Sequence, residues 1–246
     1  MILKGKTALV TGGAKRLGKA VALSLSKAGA NVMIHYGTSR DDAEATVEAI
    51  RATGVSGWCI QSDLSDPTAT EALFAHAQEM AGPFHILVNN ASIFPEKGFG
   101  DFTADDLTAN ISVNALAPAI LARRFAAQSQ EEGQIINFLD CRIVDYDERH
   151  VPYHLSKRML FTLTRIMALE FAPAIQVNAV APGLILPPEG KDIAYLERLA
   201  HTNPLQRYGE EEDIVDAVLF LLKSSFITGQ VLFIDGGRHI KGAMYG

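Results

Sequence analysis

The sequence predicts an α/β protein built on a doubly wound parallel sheet with helices on both faces. Three observations predict it. Short apolar runs recur along the chain without polar alternation, as strands buried on both faces require. Helical patterns separate them in a steady strand–helix rhythm. A glycine-rich turn, Thr11-Gly12-Gly13-Ala14-Lys15-Arg16-Leu17-Gly18, stands between the first strand and the first helix. No low-complexity linker divides the 246 residues, so residues 1–246 read as one domain with a substantial core.

The elements follow in order. The apolar run Thr7–Thr11 is the first strand, and Leu17–Ala28 the first helix. Asn31–His35 is a second apolar strand, followed by a helix over Arg40–Thr53. Gly57–Gln61 and the helix Pro67–Ala81 repeat the unit. Ile86–Asn89 precedes a long helical pattern, Ala104–Ala127. Gly133–Phe138 precedes Pro152–Phe171, Gln176–Val180 precedes Glu210–Leu222, and Val231–Ile234 closes the sheet. The stretches Ile111–Ala127 and Arg158–Phe171 carry apolar residues on more than one face. That surplus predicts either burial against another subunit, in a homotetramer, or a large monomeric core.

Composition narrows the function classes. Hydrophobic residues make up 48% and charged residues 20%, an ordinary globular balance. A net charge of −6 argues against general nucleic-acid or anionic-membrane binding. No apolar run approaches the roughly 20 residues that span a bilayer, and Met1 to Lys6 lead directly into a strand, leaving no room for a signal peptide. The two cysteines, Cys59 and Cys141, have no metal-type spacing, which predicts a reducing cytoplasm. The histidines at 76, 85, 150, 154, 201 and 239 show no ligand clustering, so no metal is expected and they read as structural or exposed.

The glycine turn predicts a dinucleotide site. Gly12 and Gly18 permit a tight bend and close backbone approach to a pyrophosphate, and the helix N-terminus offers free N–H groups. The end of the second strand selects the cofactor. NAD sites place Asp or Glu there to hold the ribose 2′-OH; here His35-Tyr36-Gly37-Thr38-Ser39-Arg40 precedes the first acid, Asp41. Ser39 and Arg40 supply hydroxyl and guanidinium donors for a 2′-phosphate, and Lys15 adds charge from the turn. NADPH is therefore expected over NADH, against the competing reading of Ser39, Arg40 and Asp41 as a solvated helix start. His35 stands among the cofactor-side residues, though strand-end packing suits it better than a phosphate. Asp63, followed by Leu64, either accepts from the adenine amino group or caps the next helix. Asn89-Asn90-Ala91-Ser92 fits the rim of a cleft outside the strand C-termini.

Tyr153 and Lys157 lie four apart, on one face of a helix, with Asp140 upstream. A lysine cation beside a phenol is expected to lower the tyrosine pKa from about 10, making a proton donor usable near neutrality. Asp140 titrates where a serine would not, which suits protonating a ring nitrogen better than steadying a ketone. Its competing reading is a helix or loop cap.

Together these residues resemble the short-chain dehydrogenase/reductase family across nearly the whole chain: the turn at 12–18, Asp63, Asn89-Asn90-Ala91, Asn114, Tyr153 with Lys157, and Pro182-Gly183. Arg16 replaces the usual middle glycine, Asp140 replaces the usual serine, and the usual Thr after Pro182-Gly183 is missing. The first two departures, with Asn89-Asn90-Ala91-Ser92-Ile93-Phe94, resemble the pteridine reductase branch. The segments Pro182-Gly183-Leu184-Ile185-Leu186 and Asp235-Gly236-Gly237-Arg238-His239 are similar to the bacterial dihydromonapterin/dihydrofolate reductases of that branch.

The resemblance implies a Rossmann-like NADP-binding fold, commonly a tetramer, and a dihydropterin or folate substrate. It implies Tyr153 as proton donor, Lys157 as its partner and a hold on the nicotinamide ribose, and Pro182-Gly183 at the cofactor. It implies Asn114 as a support for the proton relay through a helix-bound water. A flat pterin suits Phe94 as a stacking face, Ser92 at its edge, and Arg16 between pyrophosphate and pterin carbonyl. The competing readings are Phe94 as core and Arg16 as surface. Residues 184–205, with several prolines, read as a substrate lid or an ordinary insertion. A carbonyl or 3-oxoacyl thioester reductase is the enzymatic alternative, and a non-enzymatic dinucleotide-binding regulator the third reading.

Overall fold

The computed structural model describes residues 1–128 and 132–241. Seven strands form one all-parallel sheet: β1 (Thr7–Val10), β2 (Asn31–Tyr36), β3 (Gly57–Gln61), β4 (Ile86–Asn89), β5 (Gly133–Phe138), β6 (Ile175–Pro182) and β7 (Val231–Ile234). Their spatial order is β3-β2-β1-β4-β5-β6-β7. The chain therefore reverses its direction of winding between β1 and β4, and a crevice opens there outside the strand C-termini.

Helices cover both faces: α1 (Arg16–Lys27), α2 (Arg40–Arg51) and α8 (Glu211–Lys223) on one, α3 (Pro67–Ala81), α5 (Ala117–Ala126) and α6 (Val151–Glu170) on the other. The strands explain this directly. Ala8, Val10, Val32 and Ile34 pack under Val21, Leu25, Val47 and Ile214, while the intervening Leu9 and Met33 pack with Leu73, Phe74, Leu121 and Phe125. Side chains alternate across a strand, so an unbroken apolar run supplies two cores at once.

The single helix expected over Ala104–Ala127 is broken into α4 (Ala104–Ile111), a π-turn over Ser112–Leu116, and α5. Pro118 has no N–H to donate to the carbonyl of Asn114 four residues back, which removes one α-helical bond at this point. The apolar surplus expected on this stretch is absorbed internally, since Ile120, Leu121 and Phe125 are all buried. On α6, by contrast, Leu155, Met159, Ile166 and Leu169 remain exposed. Residues 184–205 hold a short helix, α7 (Ile193–Leu199), and one 3₁₀ turn.

Among the described residues, no helix is long and apolar enough to cross a membrane.

Candidate active site

The glycine turn sits at the crevice and is braced from three sides. The Gly12 amide donates to His35 Nδ1 at 3.3 Å, and Asn90 Nδ2 donates to the Thr11 and Gly12 carbonyls at 2.9 and 3.1 Å. The Thr11 hydroxyl accepts the Asn90 and Ala91 amides. Gly18 has no alternative here: a Cβ would lie 2.1 Å from the Gly12 carbonyl oxygen and 2.5 Å from Asn90 Nδ2. These bonds shape a 330 Å³ cleft lined by Gly12, Lys15, Arg16, Leu17, Gly18, Asn90, Ala91, Ser92, Pro182 and Gly183.

His35 does not reach this cleft. Its ring is buried, with Nδ1 accepting from Gly12 and Nε2 donating to the Ser62 carbonyl at 3.1 Å. Burial holds its pKa below the ordinary value, consistent with a neutral ring. The cofactor-side assignment of His35 is corrected: it braces the turn. Leu64 is buried in the core behind α3. Asp63 accepts from the Ser65 amide and hydroxyl, and those bonds hold its carboxyl below the usual range. The cap of α3 is Asp66, which leaves Asp63 facing solvent.

Of the expected 2′-phosphate donors, Lys15 and Arg40 are exposed and Ser39 is half-buried. Arg40 pairs with Glu44 at 2.9 Å, Lys15 with Asp42 at 3.6 Å, and the Ser39 side chain makes no capping bond. Exposed pairs of this kind contribute little, so a phosphate displaces them at small cost. The turn, its glycines and this donor set fit a phosphorylated dinucleotide.

Arg16 opens α1 with φ of +54°, a left-handed conformation uncommon outside glycine. That conformation explains why glycine serves at such a position, and the Arg16 side chain compensates with its own contacts. Its guanidinium donates to the Pro187 carbonyl at 2.6 Å, tying the turn to the segment after β6. It lines both the cofactor cleft and an adjoining 230 Å³ cleft.

That second cleft holds Phe94, Asp140, His150 and Tyr153, with Leu184, Leu186, Pro188 and Tyr195 from the 184–205 segment. The Tyr153 hydroxyl donates to Asp140 Oδ2 at 3.0 Å. The other oxygen of Asp140 accepts the Arg142 amide at 2.8 Å, capping the 3₁₀ turn Cys141–Val144. One oxygen of Asp140 thus caps the turn while the other receives the Tyr153 hydroxyl.

Lys157 is 3% exposed and its ammonium donates to the Phe138 carbonyl at 2.7 Å, lying 5.7 Å from the centre of the Tyr153 ring. Here the structure corrects the expected electrostatics. Burial and the Asp140 carboxylate push the phenol well above its ordinary pKa. Tyr153 is held protonated, as a donor, and the ammonium does not make it acidic. Burial instead depresses Lys157 itself to about 8, against the Asp140 charge, which raises it. Two of its three protons remain for a ligand.

A pH dependence follows. In the free enzyme kcat/KM falls on the alkaline side with an apparent pKa near 8, as Lys157 loses its charge. Because the folded pKa lies below 10.5, the buried cation is a stability penalty, full below about 8 and relieved between about 8 and 10.5. Activity and the Lys157 contribution to Tm should thus move in opposite directions over that window.

The Asn114 side chain braces a loop. Its Oδ1 accepts the Ile93 amide and the Ser92 hydroxyl, and Nδ2 donates to the Ile93 carbonyl and Ser156 Oγ. The amide is fully engaged and touches neither Tyr153 nor Lys157 among the described residues, so it positions the Ser92–Phe94 loop. Ser92 correspondingly turns its proton inward and keeps only acceptor capacity for a ligand.

Phe94 is 43% exposed and is not a core residue. It stands edge-on to Tyr153 at 4.5 Å and stacks on His150 at 4.1 Å. His150, read from sequence as structural or exposed, is thus part of the cleft. It is held by Asp147, 3.1 Å from Nδ1, and Arg142 reaches the same carboxylate at 2.9 Å. Burial works to raise the Asp147 pKa, but Arg142, the Arg149 amide and His150 outweigh it and hold it low. Only the spacing of Asp147 and His150, three apart just before α6, hinted at this pair. Cys141 lines the cleft with its thiol pushed up by burial, which makes it a poor nucleophile.

Comparison with known proteins agrees with this layout. The chain matches a family model described as Enoyl-(Acyl carrier protein) reductase over residues 12–239. It is 33% identical to versicolorin reductase 1 of Aspergillus parasiticus, covering 96% of this chain and 97% of that protein. It is 31% identical to the 3-oxoacyl-[acyl-carrier-protein] reductase FabG of Staphylococcus aureus, covering 96% and 98%. The solved structure of FolM alternative dihydrofolate reductase 1 from Brucella canis, complexed with NADP, superimposes with a TM-score of 0.91 at 34% identity, covering 99% of this chain and 98% of that one. With the turn, the Tyr153/Lys157 pair and the sheet order all in place, the chain belongs to the short-chain dehydrogenase/reductase family.

Proposed function

We propose that this protein is an NADPH-dependent reductase of the C=N bond of a 7,8-dihydropterin, such as dihydromonapterin, dihydrobiopterin or dihydrofolate, yielding the tetrahydro form. One observation carries the reading: the Tyr153 hydroxyl rests on a carboxylate, Asp140, inside a cleft that also holds Phe94 and Arg16. The likeness to a dihydrofolate reductase solved with NADP supports it. When bound, the reduced nicotinamide supplies a hydride.

The residues supply the rest. Gly12, Arg16 and Gly18 receive the pyrophosphate, and Lys157 receives the ribose with its unused donors. Reduction of C=N adds hydride at carbon C6 and a proton at N5. Tyr153 gives N5 that proton, and Asp140 passes the phenol another from solvent. Burial keeps the phenol protonated until N5 is ready to take its proton. Phe94 offers its ring to the pterin, Ser92 accepts at an edge, and Arg16 directs donors toward the pterin carbonyl. The 184–205 segment, anchored by Arg16 at Pro187, closes over the ring as a lid. The exposed apolar face of α6 supports a homotetramer, and the protein acts in the cytoplasm.

A second reading has its own support: the likeness to FabG and versicolorin reductase favours a carbonyl or 3-oxoacyl thioester substrate. Steady-state assays with NADPH separate the two. The reading expects turnover of 7,8-dihydropterins with kcat/KM at least about tenfold above that for acetoacetyl thioesters. Robust ketone reduction without pterin turnover would sink it.

A further inference from the structure

The cleft that holds Tyr153 and Asp140 does not end at them. Cys141, Arg142 and Arg238 line it, and the same three residues line an adjoining 220 Å³ cavity completed by His239 and Lys241. The two spaces share Cys141, Arg142 and Arg238 as common lining.

The charges along these two spaces are unevenly paired, and Asp140 adds a carboxylate to the inner one. Arg142 is matched by Asp147 at 2.9 Å, with Asp145 at 4.0 Å. Asp235 is occupied by the Gly237 amide, the His239 amide and the His239 ring. Asp145 also lines the outer cavity. The Arg238 guanidinium makes no hydrogen bond or ion pair among the described residues, and the residue is only partly exposed. Lys241 donates to the His201 carbonyl and has no carboxylate partner among the described residues. A half-buried guanidinium that lines two adjoining cavities is matched to a planar anion.

We propose that the substrate carries an anionic group, carboxylate or phosphate, on a chain leaving the reacting ring, and that Arg238 binds it, with Lys241 at the outer end. The inference rests on the dihydropterin reading and names its substrate class: pterins with a charged tail over pterins with a neutral side chain. Arg238 acts as a specificity residue and takes no part in the proton transfer.

Three substrates test it: neutral 7,8-dihydrobiopterin, 7,8-dihydrofolate with its glutamate carboxylates, and the phosphate ester of 7,8-dihydroneopterin. In Arg238→Gln the ratio of kcat/KM for a charged substrate to that for the neutral one falls at least about tenfold, mainly through KM. Arg238→Lys recovers part of the ratio, and added salt lowers it in the wild type. The charged substrate with the larger loss identifies carboxylate or phosphate. An unchanged ratio overturns the inference. If the wild type reduces no dihydropterin, the functional reading fails separately. Titration of 4-aminobenzoyl-glutamate into the NADPH complex then decides: the inference expects about tenfold weaker binding to Arg238→Gln, and equal binding contradicts it.

Discussion

Tyr153→Phe is expected to lower kcat by about 10²- to 10⁴-fold, the usual contribution of a positioned general acid, while NADPH binding survives. Only the hydroxyl is removed, and among the described residues that hydroxyl has one protein partner, Asp140 Oδ2 at 3.0 Å. The ring stays, so its edge contact with Phe94 and its place near Lys157 persist. The braces of the glycine turn come from His35, Thr11 and Asn90, none of which touches Tyr153. A titration of NADPH fluorescence beside steady-state rates checks both halves. Unchanged turnover would show that the proton comes from elsewhere.

Much of the architecture was legible because its signals are local. Runs such as Ala8–Val10 and Ile86–Val88 are apolar at consecutive positions, and only a sheet covered on both faces buries them. The glycine turn was legible for the same reason, since Gly18 tolerates no Cβ. What escaped were properties created by packing. The direction of the Tyr153 pKa depends on burial and on Asp140 outweighing a nearby ammonium, and spacing along a helix carries no such comparison. Asn114 has the same sequence neighbours whether it serves a proton relay or a loop. Its role emerges only when Ile93, brought in from the end of β4, takes its amide. The break in the helix around it was readable in part from Pro118. His150 joined the cleft through a stack with Phe94, a residue distant in sequence.

The second large effect concerns Asp140. A carboxylate here does two jobs, capping the Cys141–Val144 turn and receiving the phenol. Serine retains a hydroxyl that can cap and can steady a carbonyl oxygen, but it does not carry a proton across the neutral range. Asparagine preserves the cap and removes the charge. If the carboxylate matters because it refills the proton given to a ring nitrogen, both variants lose that reaction far more than reduction of a ketone, whose oxygen develops its own negative charge. If it matters only for the turn, both substitutions are mild and affect every substrate alike.

The decisive measurement is therefore the ratio of kcat/KM for a 7,8-dihydropterin to that for an acetoacetyl thioester, in wild type and Asp140→Ser. Proton delivery to N5 through the Tyr153–Asp140 pair predicts a fall in this ratio of about 100-fold or more. A ratio that survives the substitution, with both activities reduced equally, would contradict it.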